Sequence, residues 1–291
     1  NKFNKKNLDK LGGIEVLNVN LFSNLKRKYK NIYFKGNPKI KYNVIISSND
    51  ATIFDKYNAK KNILWLHNKL QLEKSIRKKQ FYSLITNKID AVFVSRYLES
   101  ITSRIYNFKS RLVIPNFLDR KFENLKINYR RKSIIVWSVQ RDLGLDETIK
   151  IWIKRIYLIN PRAELHIFAV KKFKNKNIYK KYNIFFHGRV KKQILIKYYS
   201  QATAMICLGY DETFCLNAIE SFSCGTPVIS FKKTALNDLI KNNINGFKVD
   251  NFINLAKKIN YLINLNQSSK KKLILSTKKF SKKYFFSNVE K

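Results

Sequence analysis

The strongest constraint on the fold is a repeated alternation of short apolar runs with longer amphipathic segments. In the first part of the chain, apolar runs predict strands at 31–34, 43–47, 62–66, 91–95 and 112–114. In the second part they predict strands at 133–138, 164–169, 183–187, 203–208, 228–231 and near 247–249. Short apolar runs bounded by polar residues or by Gly and Pro are typical of buried parallel strands. Two successive rounds of strand and helix therefore predict two α/β domains, 1–118 and 119–291.

The segments between these runs predict helices. Their approximate bounds are 16–25, 69–88, 96–107, 144–159, 191–200, 215–224, 235–241, 252–265 and 268–284. Segment 69–88 reads as one basic amphipathic helix, in which Ile76 and Ile85 oppose Lys74 and Arg77. In parallel sheets of this kind, ligands bind beyond the carboxyl ends of the strands. Two such domains are therefore expected to face a cleft.

The charge of the chain allows two interpretations. Lys and Arg number 59 against 19 Asp and Glu, which gives a net charge of +40. Such a charge favours an anionic partner, such as nucleic acid, an acidic membrane surface or a phosphorylated substrate. Alternatively, the charge reflects the overall amino-acid composition and has no function of its own. Lys, Asn and Ile are frequent throughout the chain, and the basic residues do not gather in one tail. Hydrophobic residues make up 45% of the chain, which excludes wholesale disorder.

Cysteine usage and hydropathy point to a reducing compartment. Cys207, Cys215 and Cys224 show no pairing pattern, and the three histidines have no metal-ligand spacing. No apolar run approaches the roughly 20 residues of a membrane span, and the sequence predicts no signal peptide. We therefore expect a cytoplasmic protein without a disulfide framework or a metal site.

The most informative segment is 211–231, DETFCLNAIESFSCGTPVISF. It predicts a loop, a helix at 215–224, a turn from Gly225 to Pro227 and a strand. Glu212 then lies on the loop and Glu220 inside the helix, with the unpaired N–H groups of the helix start between them. A helix start binds anions, and a carboxylate accepts hydrogen bonds from hydroxyls. Hydroxyl, phosphate and hydroxyl follow one another along a nucleotide sugar, so the segment predicts a nucleotide-sugar site.

The same segment carries a family resemblance. Glu212, Phe214 and Glu220, followed by a Cys-Gly-Thr-Pro-Val run at 224–228, resemble a motif of the glycosyl transferases group 1, or family four. Other matching segments, in the family's order, are GGIE at 12–15, LVIPN at 112–116, FHGRV at 186–190 and NGF at 245–247. The resemblance implies the GT-B fold, with two Rossmann-like, doubly wound domains facing a cleft. The last helix, about 268–291, is expected to cross back to the first domain.

The resemblance also implies roles for individual residues on the donor side. Glu220 would accept the ribose hydroxyls of the donor nucleotide, and Glu212 would hold hydroxyls of the transferred sugar. The N–H groups of Phe214, Cys215 and Leu216 would face the sugar and the diphosphate. Preorganised donors at that position stabilise the charge that develops on the leaving diphosphate.

Three further sites follow from the resemblance. Gly12 and Gly13 look like the glycine loop that lets the backbone approach the diphosphate. His67 ends a predicted strand where the family often has a His near the reacting sugar; the alternative is a structural, hydrogen-bonded His. Arg141 is the candidate phosphate ligand, because the family's usual Arg and Lys are replaced by Ser138 and Leu143. The alternative for Arg141 is a surface Arg.

Two expectations concern what the chain lacks. The family's first strand precedes the glycine loop, and residues 1–10 do not predict a strand, so the first domain is expected to lack it. No Asp-x-Asp motif occurs, and the resemblance implies a leaving group stabilised by helix ends and basic residues without a metal. A hydrolase pair of carboxylates is a poorer reading, since it requires both to face one glycosidic bond.

The resemblance implies a glycosyltransferase that retains the anomeric configuration of the sugar. It would transfer a sugar from a nucleotide-diphosphate sugar to a glycan or lipid-linked acceptor, in cell-surface polysaccharide or lipopolysaccharide synthesis. The basic segments 69–88 and 270–286 predict peripheral contact with the anionic inner face of the cytoplasmic membrane, or else solvated helix faces. The alternatives are a GT-B sugar-nucleotide epimerase and a basic nucleic-acid-binding protein, although no nucleic-acid module is recognisable and no nucleic-acid partner is expected.

Overall fold

The protein consists of two compact α/β units. The computed structural model describes residues 11–139, 143–169 and 176–289. The division between them lies between Phe117 and Leu118, one residue before the boundary that the sequence predicts. Each unit contains its own parallel sheet, as the two rounds of alternation predict. In the part of the chain that the structure describes, no helix has both the length and the apolar character of a membrane span.

The first unit contains a four-stranded parallel sheet in which the strands follow chain order. Its strands are β1 (Tyr42–Ser48), β2 (Ala59–Leu66), β3 (Ile89–Phe93) and β4 (Ser110–Val113). Its helices are α1 (Gly13–Lys28), α2 (Ile53–Lys56), α3 (Leu72–Arg77), α4 (Phe81–Thr86) and α5 (Arg96–Ile101). The core lies around β2 and β3, where Leu66 and Phe93 are fully buried. The expectation of a missing first strand concerns residues outside the described ranges.

The second unit contains a six-stranded parallel sheet with the order β10-β9-β8-β5-β6-β7. Its strands are β5 (Ile134–Trp137), β6 (Glu164–Phe168), β7 (Ile184–Gly188), β8 (Ala204–Ile206), β9 (Val228–Phe231) and β10 (Gly246–Val249). The chain builds outward from β5 to β7 and then returns to the other side of β5 with β8. The carboxyl ends of β5 and β8 therefore form a topological switch point, which is where such sheets bind ligands.

Helices cover both faces of this second sheet. They are α6 (Leu145–Ile151), α7 (Lys192–Gln201), α8 (Leu216–Ser223), α9 (Leu236–Leu239), α10 (Phe252–Ile263), α11 (Gln267–Ser281) and α12 (Phe286–Val289). A π-helical segment, Trp152–Tyr157, continues α6. On one face α6 and α10 pack over alternate strand residues such as Trp137 and Leu165. The intervening residues meet the other layer, in which α8 contacts α7 and α11.

One predicted strand is wrong. Residues 31–34 form bends instead of a strand. Tyr33 and Phe34 are 60% and 40% exposed, and the Phe34 ring lies edge-on to Phe22 of α1 at 5.4 Å. The apolar run therefore reflects local aromatic packing against a helix, and pairing with a strand is not needed to explain it.

The predicted single helix at 69–88 is two short helices, α3 and α4. The backbone N–H of Lys79 donates to the carbonyl of Ile76, and that of Gln80 donates to Ser75. Lys79 has φ of +55°. These two bonds form a Schellman motif, which ends a helix with one left-handed residue, commonly Gly. Lys79 occupies that position, so the sequence carried no glycine signal for the break.

The predicted last helix is also interrupted. Helix α11 ends at Ser281, a 3₁₀ turn follows at Lys282–Tyr284, and α12 begins at Phe286. The backbone N–H of Leu118 donates to the carbonyl of Tyr284, which ties this segment to the start of the second unit. The expected return of the helix to the first domain stays a prediction.

Candidate functional site

The candidate site of the second unit lies at the switch point between β5 and β8. Strand β8 leads into a loop at 207–215, and the loop leads into α8, whose N-cap residue is Cys215. The loop is held from the segment after β9. The N–H of Ala235 donates to the carbonyl of Glu212, and the Thr234 hydroxyl donates to Gly209. The predicted order of loop, helix, turn and strand is therefore confirmed.

Glu220 lies in α8 and is only 8% exposed. Both of its carboxylate oxygens accept hydrogen bonds of 2.7 Å from Lys192 Nζ, at the start of α7. A carboxylate has about four lone-pair positions, so Glu220 keeps acceptor capacity beyond the lysine. The ammonium also compensates the charge of a buried carboxylate, which would otherwise be costly. The pair can therefore present a fixed acceptor to hydroxyl groups.

Polar contacts hold the first turns of α8 against the end of β5. Asn217 Nδ2 donates to the backbone carbonyl of Ser138, directly after β5. The Ser138 hydroxyl shares a 2.6 Å hydrogen bond with the hydroxyl of Tyr199, which is fully buried on α7. Burial raises the pKa of Tyr199 well above its ordinary value, and the nearby Glu220 raises it further. Tyr199 is therefore a neutral structural link.

The other end of α8 is held by two cations, Arg131, which is partly buried, and Lys278, which is buried. Arg131 donates to the carbonyls of Tyr199 at 2.9 Å and Cys224 at 2.7 Å, and Lys278 Nζ donates to Ser223 at 2.6 Å. Burial lowers the pKa of Arg131 to about 10, so it stays charged at neutral pH. Cations near a helix C-terminus interact favourably with its dipole. The helix is thus fixed at both ends.

Gly225 ends α8 in a Schellman motif, with φ of +74°. Its N–H donates to Phe222, and the N–H of Thr226 donates to Ser221. A Cβ at Gly225 would lie 2.8 Å from Ile274 and 2.9 Å from Arg131. Both the backbone conformation and the packing therefore require glycine in the Cys-Gly-Thr-Pro turn.

Two of the cysteines meet beside Glu212. The sulfur atoms of Cys207 and Cys215 are 3.4 Å apart, and both side chains are buried. One carboxylate oxygen of Glu212 and the two sulfurs all lie within 4.8 Å of one another. The hydrogen bond to Cys207 raises the pKa of Cys215 well above its ordinary value, and burial raises it further. The sequence did not predict this pairing, because the residues lie on a loop of irregular course.

A second polar cluster lies on β6 and β7. His166 Nε2 is 2.8 Å from a carboxylate oxygen of Glu164, and its Nδ1 is 2.8 Å from Nε2 of His187. The two imidazole rings stack on each other, the His187 ring also stacks with Phe168, and both lie against Tyr198 of α7. Burial lowers the pKa of both histidines, although the Glu164 carboxylate partly offsets this for His166. The cluster ties the FHGRV segment to the sheet.

In the first unit, the predicted glycine loop forms the start of α1. Gly12 is the N-cap residue and Gly13 begins the helix. The N–H of Gly12 donates to the Glu15 carboxylate at 2.6 Å, so a side chain already occupies part of this helix start. Asn18 accepts a hydrogen bond of 2.6 Å from Ser48, which places α1 at the carboxyl end of β1.

His67 follows β2 at the same edge of that sheet. Its backbone N–H donates to Asn49 Oδ1 at 2.8 Å, and its ring lies 4.3 Å from the ring of Trp65. Burial lowers the pKa of His67 to about 4. At neutral pH this imidazole is therefore uncharged. Asn49, with φ of +59°, orients the strand end. The sequence analysis missed it, although an Asn directly after a strand is a turn signal.

The structure brings the predicted residues of the second unit together at the start of α8. Glu212, Phe214, Cys215, Leu216 and Glu220 share the loop and first turns of α8. Phe214 is buried, with its ring 5.9 Å from that of Tyr284. Gly12, Gly13 and His67 lie in the first unit, and Arg141 lies outside the described residues. Lys192, Arg131 and Lys278 were missed because nothing distinguishes them among 59 basic residues.

A family model described as glycosyl transferases group 1 matches residues 128–280, which include the loop and helix that carry Glu212 and Glu220. The chain belongs to this family. A comparison with curated proteins gave no match. The family assignment and the two parallel sheets confirm the predicted GT-B fold class.

Solved structures with similar folds include TarM, WaaG and HepE. TarM of S. aureus is 19% identical with a TM-score of 0.66, over 85% of this chain and 53% of TarM. WaaG, described as a glycosyltransferase involved in lipopolysaccharide biosynthesis, is 10% identical with a TM-score of 0.68, over 96% of this chain and 95% of WaaG. Anabaena HepE, solved with UDP and glucose, is 13% identical with a TM-score of 0.63, over 84% of this chain and 74% of HepE. This chain thus spans about half the length of TarM, and at these identities the likeness concerns the fold.

Proposed function

We propose that this chain is a glycosyltransferase that moves a sugar from a nucleoside-diphosphate sugar to a glycan or lipid-linked acceptor, with retention of configuration. The observation that carries the proposal is the placement of α8. The helix begins at the switch point of a doubly wound sheet, with Glu212 on the loop before it and Glu220 in its second turn. Membership of the glycosyl transferases group 1 family supports the same activity.

The donor is proposed to lie along the start of α8. Glu220, held by Lys192, would accept hydrogen bonds from the two ribose hydroxyls with the lone pairs that the lysine leaves. The diphosphate would face the N–H groups of Phe214, Cys215 and Leu216 and the positive end of the helix dipole. These dipoles are fixed before reaction, so they would stabilise the charge that the leaving diphosphate gains. Glu212 would hold hydroxyls of the sugar.

The first unit is proposed to supply the remaining contacts. His67 is neutral because of its lowered pKa, so it would act as a hydrogen-bonding group toward the reacting sugar. Gly12 and Gly13 would approach the diphosphate, which would have to displace the Glu15 carboxylate from the Gly12 N–H. From the second unit, Arg141 remains the proposed phosphate ligand. Transfer is proposed to require no metal cofactor.

The acceptor is proposed to be a cell-surface glycan or lipopolysaccharide core, built at the inner face of the cytoplasmic membrane. The similarity to WaaG supports this choice. Helices α3 and α4 offer a surface for peripheral contact, since Ile76 and Tyr82 are 56% and 71% exposed beside exposed Lys74, Arg77 and Lys78. Apolar side chains flanked by lysines and arginines favour binding to anionic lipid.

Donor binding can be tested by thermal shift and calorimetry with nucleoside diphosphates and their sugars. We expect at least one nucleoside diphosphate to stabilise the folded chain. Glu220→Gln should weaken that binding about 10- to 100-fold, because hydrogen bonds to a charged acceptor are lost. Glu147→Gln is the matched control, since Glu147 is exposed on α6. If no nucleoside diphosphate binds the folded protein, the proposal fails.

Membrane contact can be tested separately with vesicles. Sedimentation with vesicles of neutral phosphatidylcholine and of the same lipid mixed with phosphatidylglycerol should give binding only to the anionic mixture. Added salt should reduce that binding, because it screens the basic residues. Equal binding to both vesicle types would contradict an electrostatic surface contact.

A further inference from the structure

The cluster of Cys207, Cys215 and Glu212 has the composition and dimensions of a metal site. Cys207 follows β8, Cys215 caps α8, and Glu212 lies on the loop between them. The two sulfurs are 3.4 Å apart, and the three potential ligand atoms lie within 4.8 Å of one another. The loop between β8 and α8 therefore brings two soft sulfur ligands and one hard carboxylate ligand together.

We propose that these three side chains bind a single Zn²⁺ ion, or another thiophilic divalent cation. Zn–S bonds of about 2.3 Å in a tetrahedral site place two sulfurs about 3.8 Å apart. The sulfurs need to separate by only about 0.4 Å to reach that distance. A disulfide requires an S–S distance of about 2.0 Å, so the two sulfurs, one at a strand end and one at a helix cap, would have to move much farther. Three protein ligands leave a fourth position for water, as in many zinc sites.

The charge balance of the site also suits a divalent cation. Both thiols bind zinc as thiolates, so two protons leave when one Zn²⁺ arrives. The two positive charges of the ion replace those of the two protons, and the net charge of the buried cluster does not change. Because binding releases these two protons, the affinity for the ion is expected to rise with pH.

Glu212 is half-buried, whereas Cys207 is fully buried. The carboxylate would act as the first ligand met by an entering ion. Glu212 is also the residue proposed above to hold the donor sugar, and this part of the inference rests on the proposed function. A metal that takes the carboxylate would compete with the sugar, so the ion would act as an inhibitor of transfer and not as a cofactor.

The binding test uses the full chain, reduced and freed of metal with a chelator. Titration with Co²⁺ should give one equivalent per chain, with a thiolate-to-cobalt charge-transfer absorption, and Zn²⁺ should displace the cobalt. Cys207→Ser and Cys215→Ser should each weaken binding at least about 100-fold and weaken the sulfur absorption. Glu212→Gln should weaken binding but keep the absorption, because both sulfurs remain.

The matched control is Cys224→Ser, which removes the third buried cysteine and should leave binding unchanged. Circular dichroism of each variant establishes that it is folded. The proposal is overturned if folded Cys207→Ser and Cys215→Ser bind cobalt like the unsubstituted chain, or if the bound cobalt shows no sulfur absorption.

The inhibitory role is tested by donor binding at buffered free Zn²⁺. The measured quantity is the ratio of the affinity for the nucleotide sugar to the affinity for the nucleoside diphosphate. In the unsubstituted chain this ratio should fall as Zn²⁺ rises, and in Cys207→Ser it should not change. A ratio that is independent of Zn²⁺ in both proteins overturns the inhibitory role. If no nucleotide binds at all, the proposed function fails, whereas the cobalt titration still decides the metal site.

Discussion

Side chains at the start of α8 are held in place by partners of opposite charge or complementary hydrogen-bonding capacity. Glu220 is the clearest example, because a carboxylate inside a helix has little access to water. Lys192 bonds both carboxylate oxygens from a neighbouring helix, and its own side chain is 31% exposed. The lysine thus stays partly solvated, while the carboxylate is fully compensated. This arrangement keeps a hydrogen-bond acceptor available at a buried position.

The Glu220–Lys192 pair predicts that the effects of substituting the two residues on the free energy of unfolding are not additive. Lys192→Met leaves the buried carboxylate without its cation, and we expect a loss of about 1–3 kcal/mol in the free energy of unfolding. Adding Glu220→Gln should recover part of that loss, because the uncompensated charge is removed. A double-mutant cycle by urea unfolding measures the coupling. Additive losses would indicate that the two side chains do not interact in solution.

His67 predicts a dependence of stability on pH. Its folded pKa is about 4, below the ordinary value of 6.5, so the unfolded chain takes up the proton first as pH falls. The stability from the neutral imidazole is complete above pH 6.5 and is lost between pH 6.5 and about 4. The loss amounts to about 3 kcal/mol at pH 4. His67→Gln should lose less stability over this range in urea titrations; identical pH profiles would contradict the prediction.

At the scale of elements, α8 connects the site to the body of the second unit. Asn217 fixes its start against β5, and Arg131 and Lys278 hold its end. A helix fixed at both ends keeps its N-terminal dipole aimed at one place, which preorganised charge stabilisation requires. Both cations do this by donating hydrogen bonds to backbone carbonyl oxygens.

Arg131→Met should therefore destabilise the protein more than an ordinary surface change. The carbonyls of Tyr199 and Cys224 lose their charged donor, and we expect a loss of about 2–4 kcal/mol. Arg130→Met is the matched control, because Arg130 is the exposed neighbour. Chemical denaturation of both variants gives the comparison. Equal small effects would show that the carbonyls find other donors.

Sequence predicted these elements well where a local signal exists. Gly225 marks the end of α8 because both its φ and its packing exclude a side chain. The end of α3 uses the same motif with Lys79, so the break was missed. Likewise, Glu212 and Glu220 stand in a recognisable motif, whereas Lys192 is one lysine among many. Partners supplied by a distant helix leave no pattern in the local sequence.

The α3 end yields a prediction of its own. Lys79→Gly should stabilise the first unit by about 0.5–1 kcal/mol, because glycine adopts φ of +55° without the steric cost of a Cβ. Lys78→Gly is the control, since Lys78 has φ of −85° and gains nothing from glycine. Urea unfolding of both variants measures the difference. A loss of stability in Lys79→Gly would contradict the left-handed conformation.

At the scale of the whole molecule, the net charge of +40 acts on both units. Ion pairs among the described residues include exposed contacts such as Lys232–Asp250, at 2.7 Å, that are worth little individually. With 59 basic residues against 19 acidic ones, most cations cannot have an acidic partner. Their mutual repulsion opposes the compact state whether or not the charge also serves a membrane contact.

Salt should therefore stabilise the protein. Raising the ionic strength from about 0.01 M to 0.1 M shortens the Debye length from about 30 Å to 10 Å, which weakens repulsion between separated surface charges. We expect Tm to rise by a few degrees in scanning calorimetry at pH 7. The control is the same titration near pH 10, close to the isoelectric point of about 10.1, where the net charge approaches zero and the rise should disappear. A Tm that falls with salt at pH 7 would mean that attractive pairs outweigh repulsion, because screening weakens both.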